Sequence, residues 1–232
     1  MSLKVWVVTS IFCSTLCATP TLDFLTRYHS QANYLNTVDE TVLYHTPFLS
    51  YFEGEVGGRA AVSKSNFESL DYKAEISYSV WKCLKLGTRF SHANQLSDTT
   101  AYTSLLFYGA FSIAPFRALR VFVTGGWYKR YLLLAKSTVL PVPFRNSSYS
   151  EHDFAGSFGI DLFPEETFFG TLKASTFDEI SVFNLNNPYG EIQLGYRFSS
   201  TSRAILFSRY QLLLGFGRLD EFVFGFSLRF LA

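Results

Sequence analysis

The chain has 232 residues, 48% of them hydrophobic and 18% aromatic, with a formal net charge of +1. Twenty cations against nineteen acids, with no basic block, exclude a nucleic-acid partner bound through charge. The most apolar stretch after the N-terminus, Leu105 to Phe116, is too short for a spanning helix and is interrupted by Ser112 and Pro115.

Lys4 precedes an apolar run, Val5 to Leu16, that ends in Leu16-Cys17-Ala18. A basic start, an apolar core and a small residue at the cut describe a secretory signal, with cleavage expected after Ala18. Thr9, Ser10, Ser14 and Thr15 interrupt the run too often for an anchor, and Leu16 stands where a lipoprotein signal ending at Cys17 wants a small residue. Cys13 and Cys17 fall inside this signal, so Cys83 is left alone and no intramolecular disulfide is expected.

Residues 19–46 are polar and weakly periodic. Leu22, Leu25, Ala32 and Leu35 share a helical face, which Asn33, Asn36 and Thr37 weaken. The reading is a short helix, a plug or an unstructured lead. Pro47 then marks a break.

From there, period-2 alternation predicts ten strands. In the first, Phe48, Phe52, Val56, Ala60 and Val62 oppose Tyr51, Glu53, Glu55 and Arg59. In the second, Leu70, Tyr72, Ala74, Ile76, Tyr78 and Val80 oppose Asp71, Lys73, Glu75, Ser77 and Ser79; a helix cannot produce this segment. The third sets Leu84, Leu86, Thr88 and Phe90 against Lys85, Gly87, Arg89 and Ser91. Strands follow at about 102–113, 118–130, 151–163, 168–178, 189–199, 203–214 and 221–231. Tight connections at 80–82, 114–117, 164–166 and 200–202 alternate with longer polar ones at 92–101, 131–150 and 179–188.

The last strand reads Phe222-Val223-Phe224-Gly225-Phe226-Ser227-Leu228-Arg229-Phe230: one face is large and apolar throughout, while the other carries Arg229. Gly225, Leu228 and Phe230 resemble the C-terminal assembly signal of bacterial outer-membrane β-barrels, although the chain continues with Leu231-Ala232. Such barrels have even strand numbers, short periplasmic turns and longer external loops. The expected fold is therefore all-β: a closed antiparallel transmembrane β-barrel of about ten strands, with eight or twelve as alternatives and both termini periplasmic. Residues 1–18 are the signal, 19–46 a periplasmic or lumen-plugging segment, and 47–232 the barrel.

Alternation assigns the charges to the lumen: Glu53, Glu55, Arg59, Asp71, Lys73, Glu75, Lys85, Arg89, Arg120, Asp153, Asp161, Lys173, Glu191, Arg197, Arg209 and Arg229. An Arg or Lys turned to mid-bilayer lipid would cost about 2–4 kcal/mol, which fixes the register. Lys129, His152 and Asp178 depart from the rule near strand ends. Both signs in a narrow ring predict either a salt-bridged, nearly filled lumen or a narrow passage with a slight anion preference.

No histidine pairs with another or with Cys83 at metal-ligand spacing, and no cofactor is expected. Ser91-His92-Ala93-Asn94 loosely resembles the His-x-Ser-Asn region of outer-membrane lipid A deacylases, but Ala93-Asn94 replaces x-Ser and the matching nucleophile is missing. A polar rim residue is the simpler reading. The leading functional expectation is a porin-like pore without enzymatic activity. The alternative is a structural or adhesin-like barrel acting through external loops, above all 131–150; a lipid-modifying enzyme comes third. Expected partners are outer-membrane lipid, the barrel-assembly machinery and a surface partner at that loop.

Overall fold

The structure is a computed structural model. It describes residues 19–31, 37–49, 51–63, 66–95, 100–134, 147–176, 188–213 and 219–231. These form twelve strands: β1 (Thr21–Gln31), β2 (Thr37–Leu49), β3 (Phe52–Ser63), β4 (Asn66–Trp81), β5 (Leu84–Gln95), β6 (Thr100–Phe116), β7 (Leu119–Leu134), β8 (Ser147–Leu162), β9 (Phe168–Ser175), β10 (Tyr189–Arg197), β11 (Arg203–Leu213) and β12 (Leu219–Leu231). Each pairs antiparallel with its sequence neighbours, and β1 pairs with β12 from Thr21↔Leu231 to Gln31↔Glu221, closing the barrel. Closure removes the free edges that the first and last strands would otherwise expose, as a chain surrounded by lipid requires.

This corrects the expected strand count from about ten to twelve. The ten predicted strands are β3 to β12, and the two additions come from residues 19–46, which are neither plug nor lead. Their alternation is blurred at particular positions. Leu25 and Leu43 turn into the lumen, whereas Thr26 and Glu40 turn outward, where Thr26 Oγ1 donates to Glu40 Oε2 at 2.8 Å. Pro47 lies inside β2 beside a register shift between Pro47 and Leu49, so Phe48 belongs to the end of β2, which closes at Leu49, and the next strand starts at Phe52. Residues 1–18 and 135–146, hence the signal and most of the 131–150 loop, lie outside the described residues.

The turns β2–β3, β4–β5, β6–β7, β8–β9 and β10–β11 share one end of the barrel with Thr21 and Leu231; this is the turn end, and the opposite one is the loop end. The faces are inverted relative to a soluble protein. Among the described residues, buried polar and charged side chains outnumber buried apolar ones. Phe24, Val42, Ile76, Phe107, Phe158, Leu194, Leu206 and Phe226 stand exposed on the outer wall. An apolar surface of that extent is stable only against lipid.

Inward glycines let the lumen fill. Gly87, Gly159, Gly195 and Gly225 accommodate the rings of Tyr108, Phe122, Phe169 and Phe207 on adjacent strands, and a Cβ at any of them would overlap that ring. Gly57 receives Leu43 in the same way. These five inward side chains each occupy the space left by a residue with no side chain on the adjacent strand.

Candidate functional site in the charged lumen

Pairing places the predicted lumen charges on the inward parity of their strands, and it brings them together with further charges from β1, β2, β11 and β12 that alternation alone does not select. Nearest the loop end is a buried layer. Arg27 Nε donates to Asp39 Oδ1 at 2.8 Å, and both side chains are 1% exposed. Asp39 Oδ2 also meets His29 Nε2 at 2.8 Å and Arg59 Nη1 at 3.4 Å. His29 Nδ1 meets Glu221 Oε1 at 2.8 Å, and Arg59 pairs with Asp71. This layer stitches β12, β1, β2, β3 and β4. Gln211 and Val223 are fully buried at the same wall.

Toward the turn end a second network runs from strand to strand. Arg229 grips Asp23 through two nitrogens at 2.5 Å, the bidentate geometry that a planar guanidinium favours. His45 bridges Asp23, at 3.0 Å, and Glu55, at 2.5 Å. Lys73 pairs with Glu55 and lies 3.6 Å from Glu75. Glu75 accepts from Arg89 Nε at 2.8 Å and from the Tyr108 hydroxyl. The run therefore passes without interruption from β12 to β6.

The remaining predicted charges form smaller groups. Arg209 pairs with Glu191 at 2.7 Å and lies 3.9 Å from the Tyr189 ring centroid. Lys173 stands across from Glu191 and over Tyr189. Asp161 accepts from Arg120 at 2.7 Å and from Thr171 at 2.8 Å. Lys85 meets Glu53 at 2.5 Å at the exposed turn-end rim. Arg197 donates to the Pro164 carbonyl at 2.7 Å, and Asp153 is exposed and caps the Phe154 amide. Arg130 with Glu151 is a further pair, outside the set that alternation selects.

Two adjoining chambers open in the turn-end half. One of about 250 Å³ is lined by Asp23, Glu75, Arg89, Glu191, Arg203, Arg209 and Arg229. The other, of about 410 Å³, is lined by Thr21, His45, Glu53, Glu55, Ser77 and Lys85. Arg197, Arg203 and Arg229 stand side by side in a single register row, with Asp23 next in line as its carboxylate. A row of guanidinium groups on a low-dielectric wall locally attracts small anions. The arrangement can thus hold charged solutes toward the turn end of the lumen, with the buried ion-pair layer lying toward the loop end. Among the described residues no group of histidine, cysteine and carboxylates has a metal-site arrangement.

No family model matches the sequence, and no curated protein matches it. Solved structures similar to it include the translocator domain of the autotransporter NalP from Neisseria meningitidis, with TM-score 0.59, 10% identity and coverage of 98% of this chain and 94% of that one. A KdgM porin in complex with disordered oligogalacturonate gives TM-score 0.55 and 11% identity over 88% of this chain and 97% of that one. An active-site mutant of outer membrane phospholipase A from Escherichia coli gives 0.52 and 11% over 94% and 97%. At these identities the likeness is one of fold: the chain has the closed barrel of bacterial outer-membrane proteins.

Proposed function

We propose that this chain is an outer-membrane barrel with periplasmic termini that acts as a narrow, anion-preferring passage of low conductance, not as a wide general pore. Export through the Lys4–Ala18 signal and insertion guided by Gly225, Leu228 and Phe230 belong to the same reading. The observation that carries it is the cationic row Arg197–Arg203–Arg229, two members of which line a chamber in the turn-end half, with the buried Arg27–Asp39–Arg59–Asp71 layer lying toward the loop end. The chambers admit a small charged solute from the turn end, and the layer limits how fast anything passes. The KdgM neighbour, a porin seen with an oligogalacturonate, fits this reading by fold alone.

Planar-bilayer recording tests it. Wild type should give small, anion-preferring currents. Replacing Arg59 and Asp71 together by Ser removes both members of a buried pair, leaves no uncompensated charge from that pair, and should raise the conductance several-fold. A large unselective current from wild type would contradict the narrow passage. Silence from both proteins would replace it with a closed barrel that works through its external loops.

A further inference from the structure

Alternation on β5 sends Lys85, Arg89, Ser91 and Ala93 into the lumen, so His92 and Asn94 face outward. His92 is nevertheless only 2% exposed. Its Nδ1 lies 2.9 Å from Thr103 Oγ1, on the neighbouring strand β6, and its Nε2 lies 3.2 Å from Asn94 Oδ1. With the ring proton on Nε2, the imidazole donates to Asn94 and accepts from the Thr103 hydroxyl. A hydroxyl, a base in hydrogen-bond reach of it and a third group that orients the base are the parts of an activated nucleophile. The hydroxyl missing from β5 is supplied across the ladder by β6.

The surroundings suit a lipid substrate. In register, the outer wall at this height reads Tyr72, His92, Thr103, Tyr131. Tyrosines of this kind favour the membrane interface. His92 is the fourth residue from the loop end of β5 and Thr103 the fourth from that of β6. Toward the barrel's waist the wall turns apolar with Leu86 and Phe107. Because β6 has 17 residues and about 9–11 suffice to cross, the group falls at the margin of the apolar band, where ester linkages of lipids lie. Lys129, also outward, sets its ammonium 5.0 Å from the Tyr131 ring centroid, within reach of an anionic headgroup.

We propose that Thr103, His92 and Asn94 form an acyl-ester hydrolase site on the lipid-facing wall, acting on ester-linked long acyl chains. Thr103 Oγ1 attacks the ester carbonyl carbon as its proton passes to His92 Nδ1. Collapse of the tetrahedral adduct breaks the bond to the leaving alkoxide, which takes that proton and departs as the alcohol. Water then attacks the acyl-threonine. His92 accepts a proton from that water and returns it to Thr103 Oγ1, and the acyl chain leaves as the fatty acid. Asn94 is a positioning residue that holds the Nε2–H. An ester reaches Thr103 once the side chains covering this 3%-exposed residue turn aside.

The experiment incubates the full-length, detergent-folded protein with phosphatidylethanolamine vesicles and, separately, with lipopolysaccharide, and follows fatty-acid release. A long-chain sulfonyl fluoride serves as covalent probe. Release from either lipid, with labelling of Thr103, is the expected result and identifies which lipid supplies the ester. Thr103→Ala and His92→Ala should each lose at least about 100-fold in rate. Thr103→Ser should retain activity and Thr88→Ala, lower on the same wall, should match wild type. Asn94→Ala should lower kcat and leave KM unchanged, with partial rescue by Asn94→Asp. Heat-modified gel migration establishes that each variant is folded. No release from either lipid by folded wild type, or equal rates in folded Thr103→Ala, overturns the proposal.

Discussion

At the scale of single residues, the lumen depends on what is absent from some positions as much as on what is present. Gly225 reads in sequence as part of an assembly signal; in the fold it also makes room for Phe207. Gly225→Ala forces that ring away and should cost about 1–3 kcal/mol, the usual range for inserting a methyl into packed space. Gly125 faces outward, and a Cβ there would have open space, with nothing within 4 Å of it, so Gly125→Ala should be neutral or slightly stabilising. Urea unfolding of both variants in lipid vesicles checks the contrast; equal loss at both sites would contradict the packing role. Charges are legible one strand at a time because period 2 separates them from apolar residues. Their partners are not. Arg229 and Asp23 meet across 206 positions of sequence, and no local pattern carries that register.

At the scale of the element, β4 is the clearest strand because every outward position from Leu70 to Tyr78 is apolar or small and every inward one from Asp71 to Ser77 is polar. β1 and β2 hide for the opposite reason. Leu43 fits inward only because Gly57 stands opposite it, and Glu40 fits outward only because it lies near the loop end with Thr26 as partner. A hydropathy pattern registers both as errors, although each is locally compensated. The assigned faces predict asymmetric tolerance. Ile76→Arg or Phe226→Arg places a cation against lipid at a cost of about 2–4 kcal/mol and should reduce folded yield. Ser77→Arg and Ser227→Arg place it where chamber walls have space, and should fold better than the first pair. Folded fractions from heat-modified migration decide; equal yields from all four would show the faces to be misassigned.

At the scale of the whole molecule, β1 closes against β12 to make a ring of twelve strands with charge inside and apolar surface outside. The buried ion-pair layer, the turn-end chambers and the outer-wall hydroxyl–imidazole pair all depend on that ring having a single register. Alternation from Phe48 onward does not reveal this closure, because the seam strand β1 lies among the weakly periodic residues 19–46. The most direct test is a cross-link at the seam. Leu25 and Ser227 stand opposite each other on the lumen side of β1 and β12. Facing residues of an antiparallel pair have Cα atoms about 4.5–5.5 Å apart, within disulfide reach. With Cys83 replaced by Ser, Leu25→Cys combined with Ser227→Cys should form an intramolecular disulfide in the membrane-inserted protein, seen as a redox-dependent change in mobility after denaturation. Leu25→Cys combined with Val223→Cys, four positions along β12, should not. An absent or equal cross-link in the two pairs would contradict closure through β1 and β12 in this register.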